Sequence, residues 1–284
     1  MAPFPPLTRR TLLGALGLST LVSACGPAEE RPAAGSDPRE GDRVRYGTDH
    51  PDQYAVLGLP EDRDPRGLVA LLHGGFWLAE YGADLMEPMA ADLRARGFAT
   101  WNVEYRRVGG GGGFPETFAD VAAALDLLAE VPEVDGLAVS LVGHSAGGHL
   151  AAWAASRTAA TPGGVPRTVP TRTISLSGVL DLGTAAAENL GNGAVLGLLG
   201  AAPQDAPADY RRADPAALVP AAGEFFAVHA EDDQIVPLSQ SRRYVDLARS
   251  AGGSAELVTV PGDHFAVIDP TSTAWPPIAA LLDD

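Results

Sequence analysis

Beyond residue 42 the chain alternates short apolar runs with longer segments whose apolar residues recur every three or four positions, a pattern that predicts strands and helices in succession. Runs rich in Val, Leu, Ile, Thr and aromatic residues predict strands near 43–47, 53–59, 67–72, 98–104, 137–142, 172–176, 224–230 and 255–260. The helical period predicts helices near 83–96, 115–130, 146–158, 238–251 and 273–282. The second of these sets Phe118, Val121, Leu125 and Leu128 on one face, with Pro115 at its start. After the first two strands the two element types take turns, the arrangement that builds a mainly parallel sheet with helices on both faces. Residues 43–284 are therefore expected to form one α/β domain. Residues 178–222, rich in Ala, Gly, Leu and Pro, are inserted between the sixth and seventh strands, and 189–200 within them reads as a small apolar helix.

The chemistry centres on residues 137–150. Leu137, Val139, Leu141 and Val142 read as a buried strand that stops at Gly143-His144-Ser145-Ala146-Gly147, where an Ala- and Leu-rich helical pattern begins. This is G-x-S-x-G in the strand, turn and helix context that gives it meaning. The glycines leave room for a strained serine backbone, and the hydroxyl comes to lie at a helix N-terminus, where N–H groups and the helix dipole favour developing negative charge. Such a hydroxyl needs an imidazole to take its proton and an acid to fix that imidazole.

Three histidines follow Ser145. His149, one helical turn on, reads as a packing or capping group, and His229 sits inside a strand. His264, in the loop after the last strand, is the expected base. Glu231-Asp232-Asp233 follows the seventh strand and offers the acid, with Asp232 and Asp233 both candidates. Asp181 comes one strand too early and reads as a helix cap.

Composition narrows the picture. A formal charge of −16, with all 20 basic residues arginine, argues against nucleic acid or an anionic membrane surface as an electrostatic partner. The run Gly109 to Gly113 is not followed by G-K-[ST], so it reads as a flexible loop beside the site entrance and not as a phosphate cradle. No H-E-x-x-H or carboxylate cluster accompanies His73, which reads as a structural imidazole pinning the glycines that follow; no metal and no cofactor are expected.

The first 25 residues read as an address. Thr8-Arg9-Arg10-Thr11-Leu12-Leu13 resembles a twin-arginine export signal, and Val22-Ser23-Ala24-Cys25 after an apolar run resembles a lipobox, a resemblance that implies acylation of Cys25. Cys25 is the single cysteine, so no disulfide can form within the chain. Residues 26–42 read as a linker with a reach of roughly 20–25 Å. The protein is therefore expected outside the cytoplasm, held to the outer face of the cell membrane through Cys25.

Eight strands with a serine elbow after the fifth resemble the α/β-hydrolase fold from about residue 43 to the end. His73-Gly74-Gly75-Phe76-Trp77 is similar to the HGG-x-W segment of kynurenine-formamidase-like and hormone-sensitive-lipase-like esterases. The elbow through Leu150 and Val103-Glu104-Tyr105-Arg106 are similar to other segments of that group. The resemblance implies a triad of Ser145, Asp233 and His264, with Asp233 favoured over Asp232 by the pattern D-x-x-V-P. It implies an oxyanion hole from Gly75, Phe76 and Ala146 with Gly74 in support, and a short cap from residues 178–222 over a shallow site; the aromatics Phe76, Trp77 and Phe114 read either as the lining of an acyl or alcohol pocket, with Trp77 and Phe114 taken as its lining, or as core. The expected activity is hydrolysis of small carboxylic esters through an acyl-enzyme. An arylformamidase-type amide hydrolase is the alternative, weakened by the exported location, and a catalytically silent binding lipoprotein comes third.

Overall fold

The structure is a computed structural model in which residues 43–283 are described, all within one compact unit. The expected export signal, linker and acylated Cys25 lie outside these residues.

Eight strands form one sheet: β1 (Arg43–Arg45), β2 (Tyr54–Gly58), β3 (Leu68–Leu72), β4 (Ala99–Val103), β5 (Val139–His144), β6 (Arg172–Leu176), β7 (Glu224–Ala230) and β8 (Ser254–Val260). Their order is β1-β2-β4-β3-β5-β6-β7-β8. The first two pairings are antiparallel and all others parallel, as the element order predicts.

The helices are α1 (Glu87–Ala95), α2 (Glu116–Asp126), α3 (Ala146–Ala155), α4 (Leu182–Ala187), α5 (Ala194–Leu199), α6 (Pro207–Ala213), α7 (Ser239–Ser250) and α8 (Trp275–Ala280). Two of the predicted helices begin or end as a 3₁₀ turn: Ala83–Met86 leads into α1 and Leu127–Glu130 follows α2.

Both sheet faces are covered, and β3 shows how a continuous apolar run serves them. Its side chains alternate, with Leu68, Ala70 and Leu72 packing among α2, α3 and the inserted segment while Val69 and Leu71 pack with α1 and α8. β3 and β5 are neighbours at the sheet centre, Leu72 opposite Gly143. The loops leaving their C-terminal ends therefore meet above the middle of the sheet, where ligands bind in open α/β folds.

The insertion between β6 and β7 differs from the single small helix expected there. It holds three short helices, α4 to α6. Asp181 caps α4 by accepting from Thr184 N at 2.8 Å, as its position suggested. Asp214, from the far end of the insertion, accepts from Leu182 N at 3.1 Å and from Ala216 N at 3.1 Å. Phe114 N donates to Leu198 O at 2.8 Å, which fastens α5 to the end of the glycine run. Among the described residues no helix is long and apolar enough to cross a membrane.

Candidate active site

Ser145 stands between β5 and α3 with φ 54° and ψ −116°, a left-handed conformation that a side-chain-bearing residue adopts at a cost of about 1–3 kcal/mol. The strain holds because the turn is packed from every side. A Cβ on Gly143 would run into the carbonyl of Gly147, and one on Gly147 into the carbonyls of Leu72 and His73. Ser145 N donates to Leu176 O at 2.8 Å, tying the turn to β6.

The acid and base come from neighbouring loops. Asp233 Oδ2 accepts from His264 Nδ1 at 2.7 Å, with the carboxylate 1 % and the imidazole 5 % exposed. Its other oxygen accepts from Ile235 N at 2.8 Å and Val236 N at 2.9 Å. Burial alone would raise the Asp233 carboxyl, but the His264 bond and charge and these two N–H groups outweigh it and hold it down at about 2. A carboxylate so placed fixes the His264 tautomer with its proton on Nδ1, leaving Nε2 as a lone pair. Among the described residues that nitrogen makes no hydrogen bond, and the Ser145 hydroxyl is not bonded to it. Asp232 is exposed and its N–H donates to Gly262 O at 3.0 Å, so of the two adjacent aspartates it is Asp233 that faces the imidazole.

The third component is a set of unspent donors. Gly75, Phe76 and Trp77 follow β3 with φ of 108°, 53° and 58°, a run of three residues in the left-handed region. The N–H groups of Gly75, Phe76 and Ala146 donate to no acceptor among the described residues. The loop is held from behind by buried charge. The His73 ring stacks on Tyr105 at 4.3 Å, its Nδ1 donates to Gly74 O at 2.8 Å, and its Nε2 lies 3.1 Å from Glu104 Oε1. Tyr105 Oη donates to His73 O at 2.7 Å. Glu104 also accepts from Ala83 N at 3.0 Å and Tyr105 N at 3.0 Å and pairs with Arg107 at 2.8 Å. Burial pushes the Glu104 carboxyl up, and His73, Arg107 and the Ala83 N–H pull it below the usual carboxylate range. His73 is thus placed as the pin of the glycine loop that its position suggested.

Residues 57–247 match the BD-FAE family. The chain belongs to the BD-FAE family. No curated protein matches it. Among solved structures it is similar to a truncated carbohydrate esterase from gut microbiota, at 20% identity and a TM-score of 0.72, over 85% of this chain and 94% of that one. It is also similar to esterase B from Lactobacillus rhamnosis inhibited by a tributyrin phosphonate, at 20% identity and 0.69, over 85% and 82%. A third is Est2, a thermophilic esterase from Thermogutta terrifontis, at 20% identity and 0.67, over 89% and 91%. The shared architecture is the α/β-hydrolase fold.

Two sequence expectations for this BD-FAE member need revision or addition. Trp77, expected to line the substrate pocket, is 1 % exposed and sits in the core, its ring edge-on to His149 at 5.2 Å. Phe114 is half-buried, edge-on to Phe118 with the Arg212 guanidinium 5.2 Å from its ring, and Phe76 is likewise half-buried. Cavities of about 470 and 460 Å³ lie away from the site, one between Leu59–Arg63 and α1, the other at the N-terminal ends of β3, β5 and β6.

The two other histidines after Ser145 are both hydrogen-bonded and buried. His229 donates from Nε2 to Val236 O at 2.9 Å and accepts at Nδ1 from Ser241 Oγ at 2.8 Å, while its ring lies 3.6 Å from Asp233 Oδ2. It braces the turn whose N–H groups hold the acid, and burial keeps its pKa below the ordinary value. His149 donates to Ala213 O at 3.0 Å, linking α3 to the end of α6, the packing role its spacing indicated.

Proposed function

We propose that the chain is a serine hydrolase that cleaves carboxylic esters through an acyl-enzyme. Ser145 Oγ attacks the ester carbonyl as His264 Nε2 takes its proton. Asp233 stabilises the resulting imidazolium, and the N–H groups of Gly75, Phe76 and Ala146 bind the oxyanion. The imidazolium then protonates the departing alcohol oxygen and the acyl group stays on Ser145. A water molecule, deprotonated by the same nitrogen, releases the carboxylic acid and restores the serine. The observation that carries this reading is a strained serine with unspent N–H donors beside it and a buried, carboxylate-fixed imidazole one loop away.

The test is hydrolysis of p-nitrophenyl acetate by the purified protein. Steady turnover that drops by about 10³ or more in Ser145→Ala is expected; turnover equal in the variant rejects the assignment. Esters are placed ahead of formamides because the similar solved structures are described as esterases, and the HGG-x-W segment keeps the amide reading measurable. Turnover of an aryl formamide exceeding that of the matching acetate ester would reverse the order. Export and anchoring through Cys25 are part of the proposal and rest on residues 8–25 alone. A mass of the mature N-terminus matching an acylated Cys25 is the expected result, and an unmodified Met1 contradicts it.

A further inference from the structure

His144 ends β5 immediately before Ser145 and is 2 % exposed. Its Nε2 lies 2.9 Å from the backbone carbonyl oxygen of His264. A carbonyl only accepts, so Nε2 carries the proton and donates, and Nδ1 is left as a lone pair. Nδ1 is buried without a hydrogen-bond partner, against Gly74, where a Cβ would come within 2.8 Å of it. Burial first, and the neighbouring His264 ring second, push the His144 imidazole down to about 3. It therefore stays neutral while the ring beside it, 4.6 Å away between centroids, exchanges protons.

The bond joins residues 120 positions apart, and its ends adjoin the two groups that must meet. One end is the residue before the serine; the other is the backbone of the base itself. The remaining ties of the His264 loop run elsewhere. Asp263 Oδ1 braces it internally, accepting from Phe265 N and Ala266 N, and Gly262 O accepts from Asp232 N on the side of the acid. Among the described hydrogen bonds, the one from His144 alone joins the base's loop to the nucleophile's strand.

We infer that His144 is a positioning residue: through the His264 carbonyl it sets where the imidazole stands over Ser145, without touching the substrate. The inference rests on the assignment of Ser145 and His264 as nucleophile and base. Misplacement of about 1 Å in such a pair costs on the order of 10²-fold in rate, because the proton must pass across a hydrogen-bonded distance.

The test uses the full chain carrying His144→Met, which fills the space without a donor, His144→Asn, whose amide is too short to reach the carbonyl, and His144→Gln, whose amide lies at the same reach as Nε2. Met and Asn should lower kcat for p-nitrophenyl acetate and slow fluorophosphonate labelling of Ser145 by about 10- to 100-fold, with KM changed less than about threefold. Gln should recover most of both, while all three melt within a few degrees of one another. A Met or Asn variant with kcat within twofold of the unaltered protein overturns the inference, as does a Gln variant that falls as far as the other two. Should Met fail to fold, the contrast between Asn and Gln decides alone. Ser145→Ala is run beside them: full activity there rejects the nucleophile itself, whereas its loss alongside active His144 variants rejects only the positioning role.

Discussion

The floor of the site and its cap are built on opposite plans. The floor, made by the ends of β3 and β5 and the turns that follow, is fixed by backbone: glycines with no room for a Cβ, left-handed residues at Ser145, Phe76 and Trp77, and the buried Glu104, His73 and Arg107 behind them. The cap is three helices of six or seven residues that set Leu182, Val195, Leu198 and Tyr210 into the core shared with α2 and α3, tied by the carboxylates of Asp181 and Asp214, by the Phe114 N–H and by His149 and Trp153 of α3. Helices that short are not stable by themselves. The floor is thus fixed by its own backbone, whereas the cap takes its order from the core it packs on.

That contrast can be broken most severely at the acid. Asp233→Asn removes the charge that holds the His264 tautomer and should lower kcat about 10³–10⁴-fold, in line with loss of the equivalent carboxylate in serine proteases, and should also lower the melting temperature at neutral pH, since the carboxyl is held down at about 2 in the fold. Next is the buried charge behind the glycine loop. Glu104→Gln leaves His73 and Arg107 facing a neutral amide and should destabilise the fold by about 3 kcal/mol, read as a lower urea midpoint, with kcat falling alongside it. A variant that loses neither would show that the floor does not depend on this network.

The cap should respond to pH and not to chemistry. Burial raises the Asp214 carboxyl from 3.8 to about 6, ahead of the N–H bonds that lower it. A folded-state pKa raised in this way makes a contribution that is complete below 3.8 and is lost as pH rises through about 6. Asp214→Asn should therefore match the unaltered protein at pH 4, exceed it by about 1–3 kcal/mol at pH 8, and hydrolyse p-nitrophenyl acetate at an ordinary rate. An effect of similar size and opposite sign is expected at His149, held neutral down to about 4 by burial. Its depressed pKa gives stability present above the unfolded value near 6.5 and lost as pH falls through about 4. His149→Gln should flatten the decline in melting temperature across that window.

How much could be read from the chain alone follows the same division. The strands were legible because each is a short apolar run bounded by turn residues, and the elbow because Gly143, Ser145 and Gly147 are consecutive in one local motif. The cap helices α4 and α6 were not, since their Ala- and Pro-rich text carries no period and Asp214 caps α4 from a position more than thirty residues later. Asp232 and Asp233 are adjacent and chemically identical; the family pattern favoured Asp233, and the physical reason, a turn that spends the Ile235 and Val236 N–H groups on it, is visible only in the fold. His229 read only as a histidine inside a strand, and His144 only as the variable position of the elbow motif, because the groups they bond lie in other loops. For Trp77 the core reading holds over the pocket reading, because position along the chain does not give the direction of a side chain.

The central claim is that Ser145 is a nucleophile activated by His264. The direct measurement is the rate and site of labelling by a fluorophosphonate, read by peptide mass. The account predicts a single adduct on Ser145 that is absent in Ser145→Ala and slowed by about 10³-fold or more in His264→Ala. Ester hydrolysis that persists while Ser145 stays unlabelled, or labelling that proceeds at full rate without His264, would contradict it.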